Sequence, residues 1–186
     1  MSSKPEMRAP DRWIAALRIL VGVYFAKSLV TKIGWTMLAG AIPVPGATAR
    51  WAHFLPKRVA EFAAGNPIPW YHDFLTQVAV PHAQLFATLT AFGEAAVGIG
   101  LTLGLFTGAS AAVGALLVLA YGLASYWRGT SELGFHMMLL ASMLIFLGAG
   151  AGRVWGLDGW RVRRRHRARH GSRVAHEATV VWPAGR

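Results

Sequence analysis

The sequence contains no cysteine and few charged residues. Cysteine is absent from all 186 residues, which excludes disulfides, thiolate nucleophiles, persulfide carriers, iron–sulfur ligation and thioether-linked haem within this chain. Charged residues make up 15% of the chain, whereas a soluble domain carries about 25%. Apolar residues make up 54%, and they lie in long blocks. This composition is typical of an integral membrane protein rather than of a soluble domain.

The apolar blocks are long enough to cross a bilayer, which takes about 20 helical residues. They cover approximately residues 12–35, 82–105, 109–127 and 133–151. Very short turns separate the last three blocks, and short turns make neighbouring helices antiparallel. The sequence therefore predicts an all-α membrane protein, a four-helix transmembrane bundle within residues 12–160.

A cleaved signal peptide is the alternative for the first block, because Ala47-Thr48-Ala49 resembles a cleavage site. The apolar stretch before it is too long for a signal peptide, and it contains Arg18 and Lys27. We therefore expect the first block to be a retained transmembrane helix.

A segment rich in proline and aromatic residues, residues 40–81, lies between the first and second blocks. Its residues 48–64 have an amphipathic pattern, which predicts a helix along the membrane interface, broken or kinked near Pro56. We expect this extracytoplasmic segment to cap the bundle. Its aromatic residues fit either interfacial anchors or a lid over a ligand, and the sequence leaves both alternatives open.

Basic residues outnumber acidic ones by 19 to 8, and much of the excess lies in a tail, residues 161–186. Cytoplasmic flanks of transmembrane helices are enriched in Lys and Arg, and anionic lipid headgroups attract such charges. We therefore predict membrane lipids, and no nucleic acid, as the partner of this tail. The same rule predicts a multi-pass protein of a bacterial plasma membrane with both termini cytoplasmic, including the polar lead of residues 1–11.

Three ionisable residues are predicted to face the interior of the bundle: Arg18, Lys32 and Glu94. Each charge at this depth costs at least about 2.5–3.5 kcal/mol unless it is paired or hydrated. Arg18 and Lys32 fall on one face of the first helix, and Lys27 falls on the opposite face. An ion pair that fixes packing is one interpretation of Glu94 with Arg18 or a lysine. A catalytic site is the other, in which Glu94 transfers a proton while Arg18 or Lys32 holds an oxyanion.

His136, Tyr126, Trp70 and Tyr71 are candidates for binding a quinone at the outer end of the bundle. His136 is expected in the first turns of the fourth span, near the depth of Tyr126, where it could relay protons. A merely hydrogen-bonded or interfacial histidine is the alternative. Haem b is not predicted, because only His82 and His136 are placed even approximately for ligation, and the sequence shows no metal-ligand spacing.

Several short motifs resemble those of the DoxX-like family of membrane proteins. These are Arg18-x-x-x-Gly22-x-x-Phe25 with Lys32, Glu94-x-x-x-Gly98-x-x-Leu101-x-x-Gly104-Leu105-x-Thr107, and Gly150-x-Gly152-Arg153-Val154-Trp155-Gly156-Leu157-Asp158. The outer stretch Asn66-Pro67-Ile68-Pro69-Trp70-Tyr71 with Phe74-Leu75 is similar to the branch that includes DoxD, the small membrane subunit of thiosulfate:quinone oxidoreductase. The sequence departs from the family pattern at Leu29, in place of a glycine, and at Gly108, in place of an arginine.

The resemblance implies a membrane subunit of a quinone-linked redox complex, with quinone as the cofactor and thiosulfate oxidation as its activity. Without cysteine or a metal site, the chain has no place of its own for electrons except a bound quinone, so a second protein subunit is implied. The alternative is a non-catalytic membrane anchor or assembly factor, in which Glu94 and Arg18 form a structural pair. The sequence leaves the substrate and any oligomer open.

Overall fold

The computed structural model describes residues 9–38 and 41–164. Most of the predicted lead and most of the predicted basic tail therefore lie outside the described residues. The described chain is largely helical and contains one short β-hairpin.

The helices form the predicted class of fold. By length and composition, the helices that could cross a membrane are Pro10–Thr31, Ala83–Leu103, Thr107–Arg128 and Thr130–Ala149. The first span is formed by two helices, α1 (Ala9–Ala26) and α2 (Ser28–Thr31). The second, third and fourth spans are formed by α5 (Ala83–Leu103), α6 (Thr107–Ser125) and α7 (Thr130–Ala149). The all-α transmembrane bundle predicted from the sequence is confirmed.

The bundle has two ends, which we name by what lies there. The hairpin end carries the segment between the first and second spans, and the tail end carries residues 150–164. α1 packs against α5, α5 against α6, and α6 against α7. The buried core between them consists mainly of Val21, Phe25, Val97, Leu101, Val118, Met143 and Phe146.

Glycines allow α1 and α5 to approach each other closely. A Cβ atom on Gly98 would overlap the backbone of Ala26, and one on Gly22 would lie 2.5 Å from the backbone nitrogen of Thr102. In a bilayer, helix association depends on close packing because lipid tails are as apolar as the helices. These two contacts therefore fix how the first and second spans cross.

The first span ends earlier than predicted, and a hairpin follows it. The helix ends at Thr31 rather than near residue 35, and β1 (Ile33–Leu38) pairs antiparallel with β2 (Ile42–Ala47). The hairpin was not predicted because β2 contains two prolines, which argue against a strand in the middle of a sheet. A two-stranded sheet tolerates them, since each strand has one unpaired edge.

The rest of the segment is helical: α3 (Ala49–Gly65), α4 (Pro69–Phe74) and a π-helical turn (Leu75–Ala79). One face of α3 is buried, through Leu55, Val59 and Ala63. The amphipathic helix predicted for residues 48–64 is therefore present, with an inner face packed on the bundle.

α3 is one helix through Pro56, so the break that was predicted as one of two alternatives, a break or a kink, is absent. Proline has no N–H, so Pro56 leaves the carbonyl of Ala52 without its usual donor within the helix. The side chain of Gln84 at the start of α5 donates to that carbonyl at 3.2 Å. A hydrogen bond from the neighbouring helix therefore compensates for the proline, and α3 stays continuous.

Candidate functional site

A buried ion pair joins the first and second spans toward the hairpin end. The Nζ of Lys32 lies 2.8 Å from Oε1 of Glu94, and the two side chains are only 15% and 8% exposed. Lys32 follows the last turn of α2, and Glu94 lies midway along α5. Each charge would be costly alone at this depth, and pairing reduces that cost.

Tyr121 of α6 completes the pair. Its hydroxyl donates to the same Oε1 of Glu94 at 2.8 Å. Because both donors meet Oε1, Oε2 of Glu94 accepts no hydrogen bond from the residues that the structure describes. A carboxylate oxygen without a donor is the atom at which a proton or a ligand hydroxyl can bind.

Trp51 covers Lys32 on the side of the interfacial segment. The ammonium lies 3.8 Å from the centroid of the Trp51 ring, a cation–π geometry. The indole Nε1 donates to the carbonyl of Ala87 at 3.0 Å, which ties α3 to α5. Lys32, Glu94, Tyr121 and Trp51 together form what we call the Lys32–Glu94 cluster.

The hairpin positions Trp51 beside Lys32. After β2 the chain comes back beside Lys32, the residue that precedes β1. The backbone nitrogen of Thr48 donates to the carbonyl of Lys32 at 2.8 Å. The Thr48 hydroxyl then caps α3 by accepting from the backbone nitrogen of Trp51 at 3.3 Å. The first turn of α3 is thereby held next to the lysine, which places an aromatic ring over the ammonium.

Arg18 is not brought to this cluster but lies at the tail end. It is completely buried, and its guanidinium donates to the carbonyls of Leu101, Trp155 at 3.1 Å and Val154 at 3.5 Å. At about 1.5 Å per residue, roughly 20 Å of helix separates it from Lys32. Arg18 therefore connects α1 to the end of α5 and to the closing segment, which we define as residues 150–158.

The closing segment is held at the tail end by Asp158. Its carboxylate accepts from the backbone nitrogens of Phe106 at 3.0 Å and Thr107 at 2.9 Å, at the start of α6. Its own backbone nitrogen donates to the carbonyl of Gly104 at 2.9 Å. A carboxylate at a helix N-terminus satisfies free N–H groups and complements the helix dipole.

Two predicted quinone-binding residues line one groove at the hairpin end. The groove has a volume of about 250 Å³, lies between α6 and α7, and is lined by apolar residues together with Tyr126 and His136. The Nδ1 of His136 lies 2.7 Å from the carbonyl of Glu132. Since that carbonyl only accepts, Nδ1 carries the hydrogen, and a neutral ring keeps Nε2 as an acceptor.

The other two predicted residues lie on α4 beside this groove. Tyr71 is buried, its hydroxyl donates to the carbonyl of Ala120 at 2.7 Å, and burial raises the pKa of Tyr71 to about 12. Trp70 is 62% exposed and packs edge-on against Tyr71. Tyr71 therefore anchors α4 to α6, while the ring of Trp70 is open to its surroundings.

Sequence reasoning did not identify Tyr121 as part of the site and treated Trp51 only as one of several aromatics. One signal was present for Tyr121, because a tyrosine hydroxyl inside a span needs a hydrogen-bond partner and Glu94 is an acceptor there. The position of Trp51 depends on the hairpin. No pattern in a single sequence would have placed it over Lys32.

One comparison with known proteins gives a match, and it agrees with the motifs. Residues 13–174 match the family described as TQO small subunit DoxD. No curated protein and no solved structure matches the chain. The match covers most of the chain and confirms the resemblance seen in its motifs, so this protein belongs to the DoxD family.

Proposed function

We propose that this protein is the small membrane subunit of a quinone-linked redox complex of the thiosulfate:quinone oxidoreductase type. The family description supports this assignment. The single observation that carries the proposal is the Lys32–Glu94 cluster. We place the protein in a bacterial plasma membrane with both termini cytoplasmic, as the distribution of basic residues favours.

The cluster is suited to proton transfer. Buried ion pairs are weak evidence for stability, because well-packed apolar residues often replace them without loss. A carboxylate whose Oε1 is held by Lys32 and Tyr121 keeps its geometry while Oε2 gains or loses a proton. We therefore assign Glu94 as the proton-transferring residue, Lys32 as the residue that stabilises its charged form, and Tyr121 as a positioning residue.

The groove between α6 and α7 fits a quinone. Its almost wholly apolar surface suits an aromatic ring with an isoprenoid tail, and His136 and Tyr126 are among the residues that line it. A bound quinone would accept two electrons together with two protons. Nε2 of His136 can accept a hydrogen bond from a hydroxyl, and Nδ1–H keeps the ring oriented through the carbonyl of Glu132.

The oxidation of thiosulfate itself is assigned to a partner. The chain has no cysteine, so it offers no thiol for sulfur transfer and no cysteine ligand for an iron–sulfur cluster. We therefore propose a second protein subunit that supplies the electrons.

The test is to replace Glu94 by Gln in the complex purified from native membranes. Proton transfer by a positioned side chain contributes about 10²–10⁴-fold to a rate. We expect quinone-linked turnover per folded complex to fall at least about 100-fold, and the melting temperature to fall as well, because Lys32 loses its partner. Glu61→Gln is the control, since Glu61 lies on the surface of α3, paired with Arg58.

The double variant Lys32→Gln/Glu94→Gln removes both charges of the pair, so neither residue is left as an unpaired charge. Turnover should remain lost in this variant while folding is retained. Unchanged turnover in Glu94→Gln would rule out the proton-transfer role.

The membrane-anchor alternative is favoured by one observation: the Lys32–Glu94 cluster ties the end of α2 to α3, α5 and α6. If the protein is only an anchor, these variants lower the yield of folded protein without changing the activity per folded complex. Truncation after Trp160 would then release a cytoplasmic partner, whereas the redox function predicts that the complex stays active.

A further inference from the structure

A second cavity lies at the tail end, far from the groove and the Lys32–Glu94 cluster. It has a volume of about 210 Å³ and is lined by one acidic residue, Asp11, one basic residue, Arg153, and a floor of small and apolar residues that includes Ile14 and Ala149. None of these side chains takes part in the redox function proposed above.

The cavity lies between the ends of two spans. Asp11 is in the first turn of α1, where the first span begins, and Arg153 follows the end of α7 by one 3₁₀ turn, Ala151–Arg153. Both residues therefore flank the apolar parts of their spans. The headgroup layer is where charged and aromatic flanks of spans are found.

The backbone at the end of α7 sets the position of Arg153. Gly150 has a φ of +57° and caps α7, and its carbonyl accepts from the backbone nitrogen of Arg153 at 3.0 Å. A Cβ atom on Gly150 would lie 3.3 Å from Nε of Arg153, so the guanidinium is close to this glycine. Any other residue at position 150 would be strained and would also crowd Arg153.

Asp11 and Arg153 do not form a salt bridge with each other. Within residues 9–38 and 41–164, neither Asp11 nor Arg153 forms a salt bridge. A cavity lined by a carboxylate and a guanidinium that have no ionic partner among the described residues is complementary to a ligand that carries a phosphate and an ammonium group. Arg binds phosphate through several N–H donors, and a carboxylate accepts from a primary ammonium.

Exposed apolar side chains lie near the cavity residues on α1 and α7. Trp13 and Leu17 of α1 are 76% and 39% exposed, and Leu147 of α7 is 40% exposed. Acyl chains below the headgroup layer would contact these residues. The cavity therefore favours a lipid over a free phosphate compound.

We infer that this cavity binds the headgroup of a zwitterionic phospholipid with a primary amine, with its phosphate on Arg153 and its ammonium on Asp11. A choline headgroup carries a quaternary ammonium, which cannot donate a hydrogen bond to Asp11. An anionic headgroup without an amine would leave its negative charge near the carboxylate. The cavity should therefore prefer phosphatidylethanolamine to phosphatidylcholine and to phosphatidylglycerol.

The test uses the full-length protein in nanodiscs of phosphatidylcholine that contain a minor fraction of phosphatidylethanolamine or of phosphatidylglycerol. Native mass spectrometry counts the lipids retained, and thermal unfolding measures the stabilisation. We expect about tenfold preferential retention of the ethanolamine lipid over the choline lipid, the effect of one charge-assisted hydrogen bond. Asp11→Asn should abolish that preference, and Arg153→Gln should reduce retention of all phospholipids at this site.

Matched controls lie at the hairpin end. Glu132, like Asp11, is in the first turn of a spanning helix, and Arg128 follows the last turn of α6. Glu132→Gln and Arg128→Gln should leave the lipid preference unchanged. Asp11→Asn also weakens the start of α1, so the readout is the difference between lipids and not the absolute stability.

Two results would overturn the inference. One is equal retention of ethanolamine and choline lipids by the parent protein. The other is equal stabilisation by soluble glycerophosphoethanolamine added to phosphatidylcholine discs, which would assign the cavity to a free phosphate compound and not to a lipid.

Discussion

At the scale of single residues, the two inward-facing cations of the first span have different surroundings. Lys32 meets a carboxylate and an aromatic ring, and it is partly accessible. Arg18 meets only backbone carbonyls within the described residues and is completely buried. A planar guanidinium can donate in two directions at once, which an ammonium on a flexible chain does less well. The arginine at position 18 therefore suits hydrogen bonds to two chain segments, and the lysine at position 32 suits a single carboxylate under an aromatic ring.

Replacing Arg18 by Lys should therefore destabilise the protein although the charge is kept. The lysine would lose hydrogen bonds to at least one of the two chain segments that Arg18 connects. Hydrogen bonds to charged groups are worth about 1.5–3 kcal/mol, so we expect a loss of roughly 2–4 kcal/mol in the free energy of unfolding.

The measurement is thermal or denaturant unfolding in detergent. Arg12→Lys is the matched control, because Arg12 lies on the same helix and is exposed. Equal melting temperatures for the two variants would contradict a structural role of the guanidinium.

The composition of the candidate site was partly predictable at this scale. Lys32 and Glu94 were identified because charges inside a span are costly, and this argument needs only the sequence. The choice between Arg18 and Lys32 as the partner of Glu94 was not predictable, since helical periodicity places both cations on the same face. Their depth relative to α5 depends on how the two helices cross.

At the scale of elements, two glycines set the crossing of α1 and α5. Glycine is frequent throughout the spans, and the sequence does not distinguish glycines at helix contacts from those facing lipid. Gly98 lies against the backbone of Ala26, whereas a Cβ atom on Gly148 of α7 would meet nothing within 4 Å. Only the three-dimensional packing separates these cases.

Gly98→Ala should push α1 and α5 apart. The added methyl group would overlap backbone atoms of Ala26, which cannot move without moving the helix. Overpacking of this kind costs about 1–3 kcal/mol, and the separation of the helices should also weaken the contact between Lys32 and Glu94.

Unfolding of Gly98→Ala and Gly148→Ala, measured in the same detergent, tests this expectation. Alanine at position 148 should be neutral or slightly stabilising, because it favours the helix and meets no neighbour. Loss of stability in Gly148→Ala equal to that in Gly98→Ala would argue against close packing as the cause.

The helices were more predictable than the hairpin. Each long span follows from its length and apolar composition. Many hairpin residues are apolar too. Composition alone therefore predicted that the first helix includes part of β1. The continuity of α3 through Pro56 depends on Gln84, a residue distant in sequence, and local propensity contains no information about it.

For the molecule as a whole, the distribution of charge predicts the orientation in the membrane. The tail end carries exposed Arg161, Arg163 and Arg164, whereas the basic residues of α3 are accompanied by Glu61. Basic flanks remain on the cytoplasmic side. We therefore expect the tail end to face the cytoplasm and α3 to face outward.

Single-cysteine labelling can test this orientation directly, because the natural sequence has no cysteine. Lys57→Cys on α3 and Ala109→Cys at the start of α6 both introduce an exposed thiol. A membrane-impermeant maleimide should label Lys57→Cys in intact cells and Ala109→Cys only after permeabilisation. The reverse pattern would invert the orientation.

The long sequence separations of the buried contacts also determine the order in which the protein can assemble. Lys32 meets Glu94 after 62 residues, and Arg18 meets Trp155 after 137 residues. At about 5–20 residues per second of synthesis, Glu94 emerges roughly 3–12 s after Lys32, and Trp155 emerges roughly 7–27 s after Arg18. Until its own partner is made, each cation of the first span must remain in contact with water, lipid headgroups or the insertion machinery.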